Sequence, residues 1–230
     1  MTVATGVGSL PGLDIDSAVA LVFDSLPDLP HLPELPARGA GSDMIGRTAA
    51  ALVELHVDLQ PAGWRLVSRP GLDERAAAAT LERDLDALLP MGDFDGTLKV
   101  QLAGPWTLAA QLELPRGGKV LADRGATRDV VAAVAETARV HLADVRRRVP
   151  AAKLVLQLDE PSLPRVLAGI VPTESGFGQL PARETPDLVA GLAATVAVAD
   201  VPVVVHCCAA EPPVAIVQQA GATALSFDLA

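Results

Sequence analysis

The sequence contains no tyrosine, and aromatic residues make up 3% of its 230 residues. A chain so poor in aromatics but rich in alanine, valine and leucine is unsuited to an aromatic-cored β-sandwich, and it favours Ala-rich helices packed on Val/Leu strands. Basic residues are also few: 18 lysines and arginines stand against 28 acidic residues, for a net charge of −10. Because an acidic surface repels phosphate backbones, no nucleic-acid partner is expected.

Long apolar runs are missing as well. No stretch reaches the roughly 18 apolar residues of a membrane span, and the N-terminus lacks the basic and apolar regions of a signal peptide. Only two cysteines occur, Cys207 and Cys208, and adjacent cysteines are poor disulfide partners. We therefore expect a soluble, cytoplasmic protein without membrane partners, whose thiols have a chemical or metal-binding role.

Apolar periodicity predicts helices at residues 14–26, 43–55, 73–89, 127–149, 185–199 and 212–220. Thr127 and Thr185 are the expected N-caps of the fourth and fifth helices. Short apolar runs predict strands at 3–8, 98–102, 153–158, 201–205 and 224–227, with a weaker, proline-broken one around 31–35. This alternation indicates parallel βα units within one domain, residues 1–230.

Several predicted strands end in polar residues, as expected where an α/β barrel builds its active site. An open doubly wound sheet would also bind its ligand there, but the chain has no glycine-rich phosphate fingerprint. The expected fold is therefore a (β/α)8 TIM-type barrel. About six βα units fit the sequence, whereas eight need roughly 300 residues, so we expect a barrel that is incomplete at its C-terminus.

The pattern His206-Cys207-Cys208 follows the fifth predicted strand. Residues i and i+2 of a strand point to the same side, so His206 and Cys208 could share a zinc ion while Cys207 faces away. Asp228, at the next strand end, could supply a third ligand. The alternative is two small buried cysteines beside a hydrogen-bonded histidine.

Three other positions could bind a substrate. Gln157 and Asp159 share one face of their strand, so Asp159 could anchor a substrate ammonium or act as a base; equally, it could cap a loop. Gly8-Ser9 forms a turn whose free N–H groups suit a carboxylate, although an ordinary turn explains it too. Glu34 lies in a proline-rich extended stretch near a strand end, which alone is weak evidence.

Taken in order, the chain contains G-V-G-S-L-P, H-x-x-E, D-M, G-P-W-T-L, L-D-E-P, and H-x-C with a carboxylate about twenty residues on. This series resembles the catalytic C-terminal barrel of cobalamin-independent methionine synthase, in the uroporphyrinogen-decarboxylase-like superfamily, over nearly the whole chain. The resemblance implies a methyltransferase that moves a methyl group from 5-methyltetrahydrofolate to the thiol of homocysteine, with zinc as cofactor.

The resemblance also implies roles for particular residues. Homocysteine would contact Val7, Gly8, Ser9, Glu34 and Asp159; the folate donor would contact Arg65; and the zinc ligands would be His206, Cys208 and Asp228, the last replacing a family glutamate. The fourth zinc ligand, a cysteine, and the proton-donating histidine would lie beyond Ala230. Catalytic residues are therefore not assigned within the chain.

Two positions depart from the family. Gln111 stands where a tryptophan stacks on the folate, with Trp106 inside the preceding motif, and Arg165 stands at an acidic folate contact. These departures keep two alternatives open: a related barrel methyltransferase that uses a corrinoid donor or another thiol, and a truncated, non-catalytic chain that binds metal weakly. The sequence does not indicate an oligomeric state.

Overall fold

The computed structural model describes residues 2–228. Its α-helices are α1 Ile15–Ser25, α2 Met44–Ala49, α3 Leu72–Asp86, α4 Pro105–Gln111, α5 Arg124–Arg148, α6 Leu163–Ala168, α7 Thr185–Ala199 and α8 Val214–Gln219. Its strands are β1 His56–Gln60, β2 Gly63–Val67, β3 Thr97–Ala103, β4 Lys153–Asp159, β5 Val203–Cys207 and β6 Ala224–Phe227. The fold is α/β, as the sequence predicts.

Strands β3, β4, β5 and β6 form a parallel sheet in chain order. Each connection between them contains helix, which is the crossover that parallel pairing requires. In register, Gln101 lies opposite Gln157, Asp159 opposite His206, and His206 opposite Ser226. The predicted parallel βα units are confirmed for these four strands.

The first predicted strand, at residues 3–8, is wrong. The chain is not a regular strand there, and sheet-like pairing begins only at Gly8, whose carbonyl accepts from the Glu34 N–H at 3.0 Å. The N–H of Leu10 then donates to the Glu34 carbonyl at 2.9 Å, which makes one parallel bridge. Gly8 has φ +142°, a conformation that favours glycine and interrupts an extended strand.

The predicted strand around residues 31–35 is likewise reduced to a bridge, here against β3. The Leu32 N–H donates to the Lys99 carbonyl and the Lys99 N–H donates to the Pro30 carbonyl, both at 2.9 Å. Pro33 has no N–H to donate, so the ladder cannot continue regularly along this segment. This segment nevertheless lies beside β3, and the segment that begins at Gly8 lies beside it in turn, so the two continue the order of the parallel sheet.

The two faces of the parallel sheet differ in chemistry. One face is aliphatic, with Leu98, Val100, Leu102, Leu154, Leu156, Leu158, Val203 and Val205. These side chains form one core with helix residues Val19, Ala138, Leu142, Val145, Ala199 and Val217. Helices α1, α5, α7 and α8 therefore cover this face, and the polar side chains of the strands lie on the other.

Helix α5 begins three residues earlier than its prediction, and its N-cap is Asp123 rather than Thr127. The Asp123 carboxylate accepts from the Ala126 N–H at 2.8 Å, while the Thr127 hydroxyl donates to the Asp123 carbonyl at 2.7 Å. Thr185 is the first residue of α7 rather than its cap; Glu184 holds that position without a side-chain hydrogen bond. Asp123 can accept from an early N–H, which explains the longer helix.

Two strands and two helices are absent from the sequence prediction. The antiparallel hairpin of β1 and β2 has polar residues on alternate positions and turns at Gly63, which has φ +133°. Helices α4 and α6 are short and begin near prolines. Conversely, the helix predicted for 43–55 ends at Ala49.

The predicted single domain, residues 1–230, includes Met1, Leu229 and Ala230, which lie outside the described residues. Within residues 2–228, no helix is both long enough and apolar enough to cross a membrane.

His141 of α5 is buried, and burial lowers its pKa to about 3, with the charges of Arg47 and Arg148 adding to the shift. The unfolded chain binds a proton at this histidine near pH 6.5, whereas the folded chain does not. Stability should therefore fall as pH drops from 6.5 towards 3. We expect His141→Leu to flatten this slope, measured by denaturant unfolding at several pH values.

The control for this prediction is Leu142→Met, which changes packing on the same helix without removing a titrating group. It should keep the wild-type slope. A His141→Leu variant with an undiminished slope would show that other groups cause the acid sensitivity.

Candidate functional site

A stripe of polar side chains crosses the sheet on the face opposite the aliphatic core. Its members are Lys99, Gln101, Gln157, Asp159, His206 and Ser226. The first four are buried, and the last two are half-buried near the carboxyl ends of their strands. The predicted shared face of Gln157 and Asp159 is confirmed, because the Gln157 amide nitrogen donates to the Asp159 carboxylate at 2.7 Å.

The turn at Val7–Ser9 lies against this stripe. The Val7 carbonyl accepts from the Gln157 amide at 2.7 Å, which ties the turn to β4. Gly8 is buried, and a Cβ there would lie 3.0 Å from the Gln101 amide nitrogen, so its lack of a side chain permits the close approach. Ser9 is exposed at the edge of the turn.

Glu34 and Asp159, predicted from separate motifs, are both buried and interact electrostatically. Burial, together with the negative charge of Glu34, raises the pKa of Asp159 to about 8. Burial also raises the pKa of Glu34, against the opposing charge of Arg47. Two carboxylates so placed favour the binding of a cation, which relieves their mutual repulsion.

Two buried cations accompany these acids. Lys99 is 3% exposed, and burial lowers its pKa to about 8. Arg47 of α2 is 2% exposed; its Nε lies 3.6 Å from Glu34 Oε1 and its Nη1 lies 3.4 Å from Asp84 Oδ2. Arg38 completes the chain with two 2.7 Å hydrogen bonds to Asp84. The acidic pair is thus linked to α2 and α3 through ion pairs.

Some polar atoms near the stripe have no protein partner. Among the described residues, both ring nitrogens of His31 and the Oε1 of Gln101 are buried without a hydrogen bond. Burial lowers the pKa of His31 to about 4, with the charge of Lys99 adding to this, so the ring is neutral at pH 7. Buried polar atoms normally find partners, and a ligand or ordered water would supply them here.

Glu160, the neighbour of Asp159, joins the end of β4 to α4. Its carboxylate accepts from the Trp106 N–H at 3.0 Å, the Thr107 N–H at 2.8 Å and the Thr107 hydroxyl at 2.7 Å. Any Cβ at Gly104 would collide with this carboxylate. Glu160 therefore fixes the backbone that carries Asp159, although burial raises the pKa of Glu160 to about 7.

The predicted metal ligands lie at the ends of β5 and β6. His206 Nδ1 is 2.9 Å from the Ser226 hydroxyl, which leaves Nε2 as the nitrogen that could coordinate a metal. Cys207 is buried and Cys208 is exposed, and the shared side of His206 and Cys208 stays a prediction. Burial lowers the pKa of His206, while the charge of Asp228 acts in the opposite direction, so these two residues interact.

Imidazole, thiolate and carboxylate are suitable zinc ligands, so this set fits the metal in kind. Within residues 2–228, however, no three histidine, cysteine or acidic side chains are grouped closely enough to hold a metal ion. The zinc site stays a prediction.

The positions assigned to the methyl donor lie apart from the stripe. Arg65 lies in the β1–β2 hairpin, where its guanidinium donates to Asp58 at 2.8 and 3.1 Å. Gln111 and Arg165 line one cavity of about 220 Å³ together with Lys119.

Trp106 faces away from this cavity. The indole is 3% exposed, donates to the Leu188 carbonyl at 3.0 Å and packs closely on Gly191. It therefore belongs to the helix core and does not replace the missing stacking residue.

Comparison with known proteins adds no family. No protein-family model matches the chain, and the search of curated proteins found no match.

Several residues of the site were not predicted. Lys99 and Gln101 alternate with Leu98, Val100 and Leu102 in T-L-K-V-Q-L-A, and this polar alternation in a buried strand was a readable signal. His31 begins the H-x-x-E motif but was given no role, whereas Arg47 and Ser226 had no sequence signal, because their proximity to the site depends on contacts distant in sequence.

Replacing Glu160 tests its structural role. Glu160→Gln removes the charge and turns an NH2 group towards donors, so we expect a loss of about 1–3 kcal/mol in unfolding free energy. The unfolding free energy of each protein is measured by urea denaturation.

The matched control for that substitution is Glu211→Gln at an exposed position, which should be nearly neutral. Equal effects from the two changes would contradict a buried bracing role for Glu160.

Proposed function

We propose that the chain binds the amino-acid head of homocysteine between the Val7–Ser9 turn, Glu34 and Asp159, and transfers a methyl group to its thiol, giving methionine. The observation that carries this proposal is the burial of two mutually repelling carboxylates beside a turn with a free polar edge. A primary ammonium is a compact cation with three donors, which suits such a pair.

The carboxylates bind the ammonium most strongly when both are ionised. Without a ligand, the pKa of Asp159 near 8 keeps a proton on the pair at neutral pH. A bound ammonium favours loss of that proton, because an opposite charge nearby lowers a carboxyl pKa. In the same position, an uncharged thiol compound would neither favour loss of that proton nor pair with the two carboxylates, so the site favours amino acids.

The methyl transfer itself needs a thiolate, which is the nucleophilic form of a thiol. The thiol loses its proton and its sulfur forms the new bond to the methyl carbon. The bond from the donor to its methyl group breaks with the electron pair left on the donor, and the proton passes to the departing donor or to solvent. His206, Cys208 and Asp228 are the proposed zinc ligands. Zinc bound there would supply chemistry of one kind, namely the deprotonation of a coordinated thiol at neutral pH.

The proposed architecture is an incomplete (β/α)8 barrel. Support comes from the order of six parallel segments: the one at Gly8–Leu10, the one at Pro30–Glu34, and strands β3 to β6, each bridged to the next. The coverage of the aliphatic face by helices, with polar residues on the other face, is typical of a barrel wall.

5-Methyltetrahydrofolate is the proposed donor, with Arg65 as its contact. A methyl-corrinoid is the second candidate, and Gln111 and Arg165 favour it because they replace the stacking and acidic residues expected for folate. Steady-state turnover with each donor, at equal homocysteine, separates the two. Turnover with neither donor would refute methyl transfer.

Asp159→Asn tests the amino-acid site. The substitution removes one charge from the ammonium site, so homocysteine binding should weaken by about 1.5–3 kcal/mol. Isothermal titration calorimetry measures the change.

Asp200→Asn, at an exposed position, is the matched control and should bind as the wild type does. Unchanged affinity in Asp159→Asn would mean that this carboxylate has only a structural role.

Substitution of each of the two adjacent cysteines tests zinc binding. Cys208→Ser should abolish zinc retention after dialysis, whereas Cys207→Ser should change it little because Cys207 is buried and alternates with His206 along β5. Metal analysis of the dialysed protein gives the stoichiometry. Similar losses in both variants would contradict the strand geometry and remove the site from the proposal.

A further inference from the structure

Lys99 is a buried cation whose hydrogen-bond partner is an amide. Its Nζ donates to the Oε1 of Gln157, and its side chain is almost fully buried on the polar face of β3. With a pKa near 8, it is mainly charged at pH 7. Burying an ammonium costs free energy, and an aliphatic side chain would fill the same volume without that cost.

The Gln157 amide uses all of its hydrogen-bonding groups in one orientation. Its oxygen accepts from Lys99, while its nitrogen donates to Asp159 Oδ1 and to the Val7 carbonyl, each at 2.7 Å. A flipped amide would place its oxygen against two acceptors and its NH2 group against an ammonium. Lys99 thus favours the same orientation as the two acceptors do, and it supplies the donor that holds the amide oxygen.

We propose that Lys99 is a positioning residue: through the Gln157 amide it holds the Asp159 carboxylate and the Val7–Ser9 turn in the arrangement that receives the substrate. Lys99 acts without touching the ligand. Its effect on homocysteine binding rests on the proposed function, whereas its control of the Gln157 amide does not.

Four substitutions separate the positioning of the Gln157 amide by Lys99 from the effects of charge and packing. Lys99→Met keeps the length but removes the charge and the donor, and Lys99→Arg keeps both. Gln157→Glu keeps an acceptor for Lys99 but places a carboxylate oxygen against Asp159 and the Val7 carbonyl. Lys153→Met is the matched control, since Lys153 begins β4 at an exposed position.

The first readout needs no substrate. In protein with ¹⁵N-labelled glutamine side chains, the signal lost in Gln157→Glu identifies the Gln157 amide. We expect this amide to exchange slowly with solvent in the wild type, in Lys99→Arg and in Lys153→Met. In Lys99→Met it should shift and exchange faster. An unchanged signal in Lys99→Met overturns the inference.

The second readout is homocysteine affinity by calorimetry. Lys99→Met and Gln157→Glu should each weaken binding at least about tenfold, and Lys99→Arg should restore affinity to within about threefold of the wild type. Gln157→Glu keeps the pairing with Lys99, so even if Lys99→Met fails to fold it tests the step through which Lys99 acts: unchanged affinity in Gln157→Glu would show that the amide does not position Asp159 and would refute the proposal.

The two readouts distinguish the two ways of failing. If the wild type does not bind homocysteine but the amide signal responds to Lys99→Met, the proposed function fails and the control of the amide by Lys99 is upheld. If the wild type binds and both Lys99→Met and Gln157→Glu bind equally well, the positioning role is refuted and the proposed function survives.

Discussion

Two carboxylates buried near each other repel, and the polar side of this protein is organised around that repulsion. Glu34 and Asp159 come from different segments of the chain, yet each lies in an environment that raises its pKa. Counting Asp84, three acids lie among three cations, Arg38, Arg47 and Lys99, and without a ligand Asp159 keeps a proton at neutral pH. Removing any one of these charges leaves another buried without compensation, which is costlier than the loss of a surface ion pair.

The aliphatic side of the sheet makes this arrangement possible. Leucine and valine side chains of the strands pack against α1, α5, α7 and α8, so the strand backbone is held from one side. The backbone positions that carry the polar side chains are therefore fixed. The orientation of these side chains depends on hydrogen bonds such as those of the Gln157 amide and the Glu160 carboxylate. A rigid backbone and satisfied hydrogen bonds keep a binding site in its productive geometry.

The sequence is sufficient to predict what local pattern controls. The strands β3 to β6 and the helices α1, α3, α5 and α7 follow from apolar periodicity, and the shared face of Gln157 and Asp159 follows from strand alternation. The strand at 3–8 fails because its described residues 3–7 make no backbone ladder, and pairing with the distant Glu34 begins only at Gly8. The place of Arg47 in the site could not be predicted from the sequence, because this helical arginine joins the site only through its contacts with Glu34 and Asp84.

The residues proposed to bind the methyl acceptor (the acceptor side) and those proposed to bind the methyl donor (the donor side) differ in how freely they can be substituted. The acceptor side consists of buried groups that depend on one another, so a substitution at Glu34 or Asp159 disturbs folding as well as binding. On the donor side, Gln111 and Arg165 are exposed, and Arg65 is satisfied by Asp58 within its own hairpin. Exposed residues can be exchanged at little cost in stability. Departures from a folate-type pattern are therefore physically easiest on the donor side, and they leave the case for an amino-acid acceptor intact.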